Sequence, residues 1–434
     1  MKVNKIFQGQ KIYTWMRDLF PFHRSITGKG LRKTLYYIKN EFPKMKIQRI
    51  RSGCKVFDWR VPKEWNIKEA YISDLRGKKI IDYKKNNLQV VGYSTAVNKI
   101  LNYEDLQKHL FSLPKQPSAV PYLTSYYKKM WGFCLSENQR KKINKKKRYK
   151  VFIDAVHFDG ELNYGEIYLK GKSKKEIFIS TNVCHPSLAN NELSGPVIAL
   201  AISKHLEKLN RQFSYRIIFV PETIGALVFL KRNKRKLKRI KAGFVLSCIG
   251  DDKNYSIINS RYADTYADKV AEFNFKYNKI KFKKYSFLSR GSDERQYCSP
   301  KFDLPVCSIL RTRYGDYPEY HTSLDNLKLV SPKGLENSYK IMKSLITIIE
   351  SNKKFKATKY GEPFLHKYNL KQEMSSYTGS DRIKDETKTI IDFLAYSDGK
   401  NDLINISKIL KKDFFKLVSI SQRLVDLKLV KEAK

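Results

Sequence analysis

The 434 residues are 41% hydrophobic and 13% aromatic, enough to build a core, which excludes a globally disordered chain. Lysine and arginine outnumber aspartate and glutamate by 86 to 42, a formal net charge of +44. That charge fits an anionic partner such as nucleic acid, lipid or acidic polymer, or a lysine-rich background covering every face; the even spread of basic residues favours the background.

Apolar spacing predicts a first helix over 12–19, a loop PFHRSITGKG at 21–30 and a second amphipathic helix over 30–42. Residues 47–51 open a strand. From 57 the texture changes to short β-like runs at 71–73, 79–83, 89–93 and 149–153, with one helix around 103–111. This predicts a β-rich insert of about a hundred residues, an ordinary size for a small domain. Its aromatic-dense segments at 122–127 and 130–133 fit either a core or the wall of a substrate cleft. The basic runs QRKKINKKKRYK (139–150) and KRNKRKLKRIK (231–241) lack the interleaved aromatics of a single-strand binder, so no nucleic-acid contact is expected of them.

The chain is organised around 177–195, IFISTNVCHPSLANNELSG: a β-branched run, a polar turn, then a helix start with Pro196 in its first turn. Three later stretches make the same move. Residues 215–220 end in PETIG, 287–288 lead into SRGSDER, and 304–310 precede YHTSLD. His185, Glu222, Asp293 and His321 therefore each lie shortly past an apolar run, where open α/β sheets place their ligands. Two histidines and a carboxylate suit Zn²⁺, and a further glutamate suits a general base. A lone histidine is more simply a core or capping residue; four such groups at strand ends favour the metal. Residues 243–250 form another buried strand before Asp251 and Asp252, which fit a ligand, a residue that orients a histidine, or a loop cap.

After about 355 a linker-like stretch (360–386) gives way to helices over 387–396, 401–410 and 413–427 and a short strand at 429–431. This resembles a winged-helix module, suited to DNA binding or to protein contact, with the second favoured. None of the six cysteines forms a CxxC pair, which excludes a zinc ribbon and a thioredoxin motif. Residues 1–5 are not followed by the long apolar region of a signal peptide, and no run nears the ~18 apolar residues of a membrane span, so a soluble, cytoplasmic, reduced protein is expected.

The order His…Glu…Ser-Asp…Tyr-His-Thr resembles the co-catalytic zinc aminopeptidases, the family of bacterial leucyl aminopeptidase. HPSLANNELSG, PETIG, GSDERQY and EYHTSLDN are more closely similar to an aminopeptidase-like family found among bacterial surface-polysaccharide genes, which also carries a C-terminal winged helix. The resemblance covers most of the chain. It implies that His185 and His321 are metal ligands, that Glu222 is the general base, and that Asp293 is a carboxylate beside the metal. Three positions depart from the zinc aminopeptidases. Asn191, with Glu192 next to it, stands where they have a bridging aspartate. Thr223 stands where they have a second glutamate. Ser247-Cys248 stand where they have another aspartate, Asp251 and Asp252 being the nearest acids. One zinc ion is therefore expected rather than two.

Asn191 and Glu192 are candidates for metal or substrate. Arg24, Asp251, Asp252, Arg290 and Tyr320 are candidates for substrate contact or for orienting a ligand; for Arg24 a helix-cap turn is favoured. The expected architecture is an α/β core with a mostly parallel sheet flanked by helices (1–55 and 166–355), a β-rich inserted domain (56–165), and a linker with a winged-helix-like domain (356–434). The expected function is a zinc metallohydrolase of aminopeptidase type acting on a small peptide or other amide. The alternatives are an N-acyl-sugar hydrolase acting on a surface-polysaccharide precursor, and a basic nucleic-acid-binding regulator. A homo-oligomer stays open.

Overall fold

A computed structural model describes residues 8–370 and 385–433. The chain divides into two compact units, 1–343 and 344–434.

The first unit holds an eight-stranded sheet. Its four central strands, Ser214–Val220, Glu176–Asn182, Ile240–Leu246 and Val306–Leu310, lie side by side in that order and run parallel. Every residue of the first two is buried. A parallel strand covered on both faces must be apolar on both, which is why these segments read as continuous apolar runs. The flanks differ from the centre. Glu161–Leu169 pairs antiparallel with Ser214–Val220 and with Lys46–Arg51. On the far side Ser256–Ile258 is antiparallel to Val306–Leu310, and Lys283–Tyr285 closes the edge. The sheet is therefore mixed, with the parallel order confined mostly to its centre.

Side chains alternate across a strand, so Phe178 and Thr181 face opposite sides. Phe178 stacks on Phe229 of the helix Ile224–Asn233, with ring centroids 5.2 Å apart. Thr181 lies under Gly195, in the first turn of the helix Ser194–Glu207. The two helices thus cover opposite faces, and both are buried along most of their length, as expected of helices apolar nearly all round. A Cβ on Gly195 would sit 2.2 Å from Thr181 Oγ1 and 2.4 Å from the Leu246 carbonyl oxygen. Because the backbone atom cannot step aside, Gly195→Ala should destabilise the protein by about 1–3 kcal/mol, read as a lower urea midpoint at unchanged slope.

Within the same unit, Lys79–Asp82, Glu64–Asp74, Tyr149–Phe158 and Val97–Leu101 form a four-stranded antiparallel sheet. It packs over Ile72, Phe133, Tyr149 and Val151. The helix expected around 103–111 stops at Gln107, and Leu110–Phe111 instead pairs with Phe133–Cys134. That pairing is long-range and leaves no trace in the local pattern.

The second unit contains the helices Asp385–Ala395, Leu403–Leu410 and Phe414–Asp426. A three-stranded sheet accompanies them, in the order Asp398–Asp402, Lys354–Ala357, Val430–Ala433, giving a winged-helix arrangement. Asp402 and Asp413 cap the last two helices through the amides of Asn405 and Lys416. Much of the linker expected at 360–386 lies outside the described residues. No described helix is long and apolar enough to cross a membrane, and all six cysteines are free.

Candidate active site

Loops following the parallel strands bring the chemistry-bearing side chains together at one end of the sheet. His185 stands three residues past Glu176–Asn182, and Glu222 two past Ser214–Val220. His185 is the hub. Its Nε2 lies 3.5 Å from Glu222 Oε2, and its Nδ1 lies 2.7 Å from Glu192 Oε2. The His321 ring centroid is 5.3 Å away.

Glu192 is buried in a π-helical turn, Ala189–Leu193, and its Oε1 accepts the amides of Cys184 and His185. Cys184 in turn accepts the Glu222 amide on its sulfur at 3.3 Å. Cys184, His185 and Glu192 place ligand-type atoms within 4.8 Å of one another. Burial, Glu192 and Glu222 push the Cys184 thiol well above its usual range, so it stays protonated.

Asp293 lies across Glu222. Its Oδ1 accepts the Thr223 amide at 2.7 Å, and Thr223 Oγ1 accepts from Arg295 at 2.6 Å. These bonds hold Thr223 at φ 64°, a conformation that a β-branched residue adopts only under constraint. Ser187, Cys248 and His321 also have positive φ. Positive-φ non-glycine backbone thus recurs in the loops of His185, Glu222 and His321 and in the turn after Ile240–Leu246.

Burial opposes the charged form of His185, but Glu192 and Glu222 outweigh it and raise the imidazole to about 8. Burial and the neighbouring His185 lower His321 to about 3. Glu222 keeps 22% of its side-chain surface exposed yet is hemmed in on most sides. Burial raises it above the carboxylate range, with His185 and Arg295 pulling the other way. Burial and Glu222 also raise Asp293.

Several buried acceptor atoms in this cleft have no hydrogen-bond partner: Asn191 Oδ1, Glu192 Oε2, Asp293 Oδ2 and His321 Nε2. An unpaired buried acceptor costs about 1–3 kcal/mol. Acceptors from three segments, oxygen and imidazole nitrogen together, are the kinds of donor a zinc ion takes, so the chemistry of the donor set fits the metal.

The other sequence candidates divide. Arg24 is 1% exposed and donates to the carbonyls of His185 and Leu19, so it braces the histidine loop from beneath. Asp251 is saturated by Asn190 Nδ2, the Lys253 amide and both donors of Thr312, and fastens the turn that carries Asn191. Tyr320 stacks on His321 at 3.9 Å. Asp252 and Arg290 stand apart. Asp252 is engaged by Ser331, and exposed Arg290 lies over the Phe287 ring.

Three residues not singled out as site candidates in the sequence stand against the site. Tyr122, from the insert, sets its ring edge-on to both imidazoles, 4.8 Å from His185 and 5.2 Å from His321. Its amide donates to the His321 carbonyl at 2.8 Å, and Pro121 bridges Thr322. Asp325 is fully buried and accepts the amides of Asn190 and Asn191, tying the second histidine loop to the first. Cys184 is the third. Asp325 was visible in the motif EYHTSLDN, and Tyr122 in the aromatic-dense run.

A mixed sheet with parallel centre, flanking helices and a cleft at its strand ends defines an aminopeptidase-like protein. The chain belongs to the family described as domain of unknown function (DUF4910), whose model matches residues 13–352; a winged helix-turn-helix model matches 353–432. A Clostridium acetobutylicum protein, provisionally named a polysaccharide biosynthesis protein with an aminopeptidase-like domain, is 42% identical over 94% of each chain. The crystal structure of a provisionally assigned peptidase from Clostridium acetobutylicum superposes with a TM-score of 0.90 at 38% identity, covering 100% of this chain and 99% of that one. A zinc aminopeptidase from Bacillus subtilis shares the fold at a TM-score of 0.58 and 14% identity, over 79% of this chain and 95% of that one.

Proposed function

We propose that the protein is a zinc-dependent hydrolase of aminopeptidase type that cleaves an amide bond. The observation that carries this reading is the set of unpartnered buried acceptors on the loops that carry His185, Asp293 and His321. His185, Asp293 and His321 would hold one ion, with Asn191 and Glu192 beside it. When bound, zinc would polarise the scissile carbonyl and make a nearby water more acidic. Glu222, partly exposed in the cleft and raised by burial above the usual carboxylate range, takes a proton from the attacking water and delivers it to the departing nitrogen. Tyr122 and Tyr320 fix the planes of the imidazoles. Asn191 and Thr223 offer no charge for a second ion, which supports a single one.

The test is zinc content per purified chain, followed by a screen of peptide anilides against N-acyl amino sugars. A protein that binds no zinc, or that hydrolyses neither substrate class, would sink the proposal. The name carried by the Clostridium relative favours the sugar arm as a second reading.

Glu192 is placed to hold His185 rather than to replace it. Glu192→Gln keeps an acceptor for the two backbone amides but removes the charge facing Nδ1. Zinc should still bind, about 10–100-fold more weakly, as measured by competition with a chelator. Loss of the ion altogether would make Glu192 a ligand.

A further inference from the structure

Two neighbouring hollows lie where the insert meets the histidine loops. One, of about 340 Å³, is floored by Ser187, Ser323 and Asn326; Ser187 and Ser323 each stand two residues past a site histidine. The other, of about 430 Å³, runs out across the insert between Gln89, Ser118 and Gln139. Lys85, Asn86 and Ser323 line both.

The chemistry of these walls is one-sided. Asn86 and Gln139 use their side-chain oxygens on the amides of Leu88 and Ser136, and Gln89 uses its own on the Asp82 amide. Their NH₂ groups have no protein partner among the described residues. Lys85 is exposed and forms no ion pair among the described residues, whereas the single carboxylate of the walls, Asp82, is held by Lys79 at 3.6 Å. Planar amides and hydroxyls, with Phe20 beside them in the first hollow, match vicinal sugar hydroxyls, and one unspent ammonium matches one anionic substituent.

We propose that the paired hollows are a saccharide subsite beside the active centre, taking an acidic sugar whose carboxylate or phosphate pairs with Lys85. This deepens the hydrolase reading by naming a substrate class, and it rests on the sugar arm of that reading.

Titration calorimetry on the full chain tests it with three probes: a digalacturonate, glucose 1-phosphate and neutral cellobiose. An acidic probe should bind at least ~tenfold more tightly than cellobiose, the size of one charge-assisted hydrogen bond. Lys85→Gln should erase that preference, and Gln139→Ala should weaken all binding. The preferred acidic probe tells uronate from phosphate. Absence of binding by every probe, no preference for an acidic one, or wild-type binding by both variants would overturn the subsite. The readout is independent of turnover: a Glu222→Gln variant should bind these sugars as the wild type does. Zinc-dependent hydrolysis of peptides without sugar binding would remove the subsite alone. Sugar binding without zinc would remove the hydrolase alone.

Discussion

His321→Ala should leave the purified protein without zinc. The proposed ligand set is His185, Asp293 and His321, and about three protein ligands are the fewest that hold zinc firmly. Taking away one leaves two, and the metal per chain should fall from about one to near zero after dialysis. His321 stands on a loop pinned by its neighbours: its carbonyl accepts the Tyr122 amide, and Ser323 donates to Val120. Those backbone bonds survive the substitution, so the circular dichroism spectrum should be unchanged while the metal is lost. A variant that keeps a full complement of zinc would remove His321 from the ligand set.

Glu222→Gln should show the reverse pattern, a full metal complement with little activity. The side chain makes no hydrogen bond that builds the loop; the Glu222 amide does that, through Cys184 Sγ. Glutamine preserves the shape but cannot take up a proton, so kcat should drop roughly a hundred- to ten-thousandfold while KM changes little. Unimpaired turnover would exclude Glu222 as the base. Measured on one set of preparations, the two variants separate holding the ion from moving the proton.

The fold was legible where burial is two-sided. Residues 177–181 and 215–220 announced themselves because a parallel strand under helices tolerates little polarity, and the structure widens them only to Glu176–Asn182 and Ser214–Val220. The short flank strands were not legible. Lys283–Tyr285 reads KKY, and its place in the sheet is set by pairing with Ser256–Ile258, not by any pattern of its own. In the cleft, polar residues just beyond apolar runs drew attention to His185, Glu222, Asp293 and His321. What surrounds them could not be read, because it depends on contacts between distant segments. Arg24 read as a turn residue or a substrate contact, and nothing in its sequence neighbourhood showed that its guanidinium lies under the His185 carbonyl. Asp325 gave no sign that it would be fully buried against two backbone amides. Thr223 could be read as a missing acid, but not as a strained backbone fixed by Asp293 and Arg295.

The stitching of the insert to the second histidine loop bears on how the molecule comes into being. Val120 and Ser323 exchange hydrogen bonds across 203 positions of sequence, and Arg24 reaches 161 positions forward to His185. Contacts of such separation close late, since the chain entropy of a long loop has to be overcome before they give any return. A nascent chain that has emerged only as far as the central strands can assemble much of the sheet, yet it still lacks the segment that completes the cleft. Ion capture is then among the last events of maturation, and a ribosome-bound chain ending before residue 321 should fold in part while remaining unable to load metal.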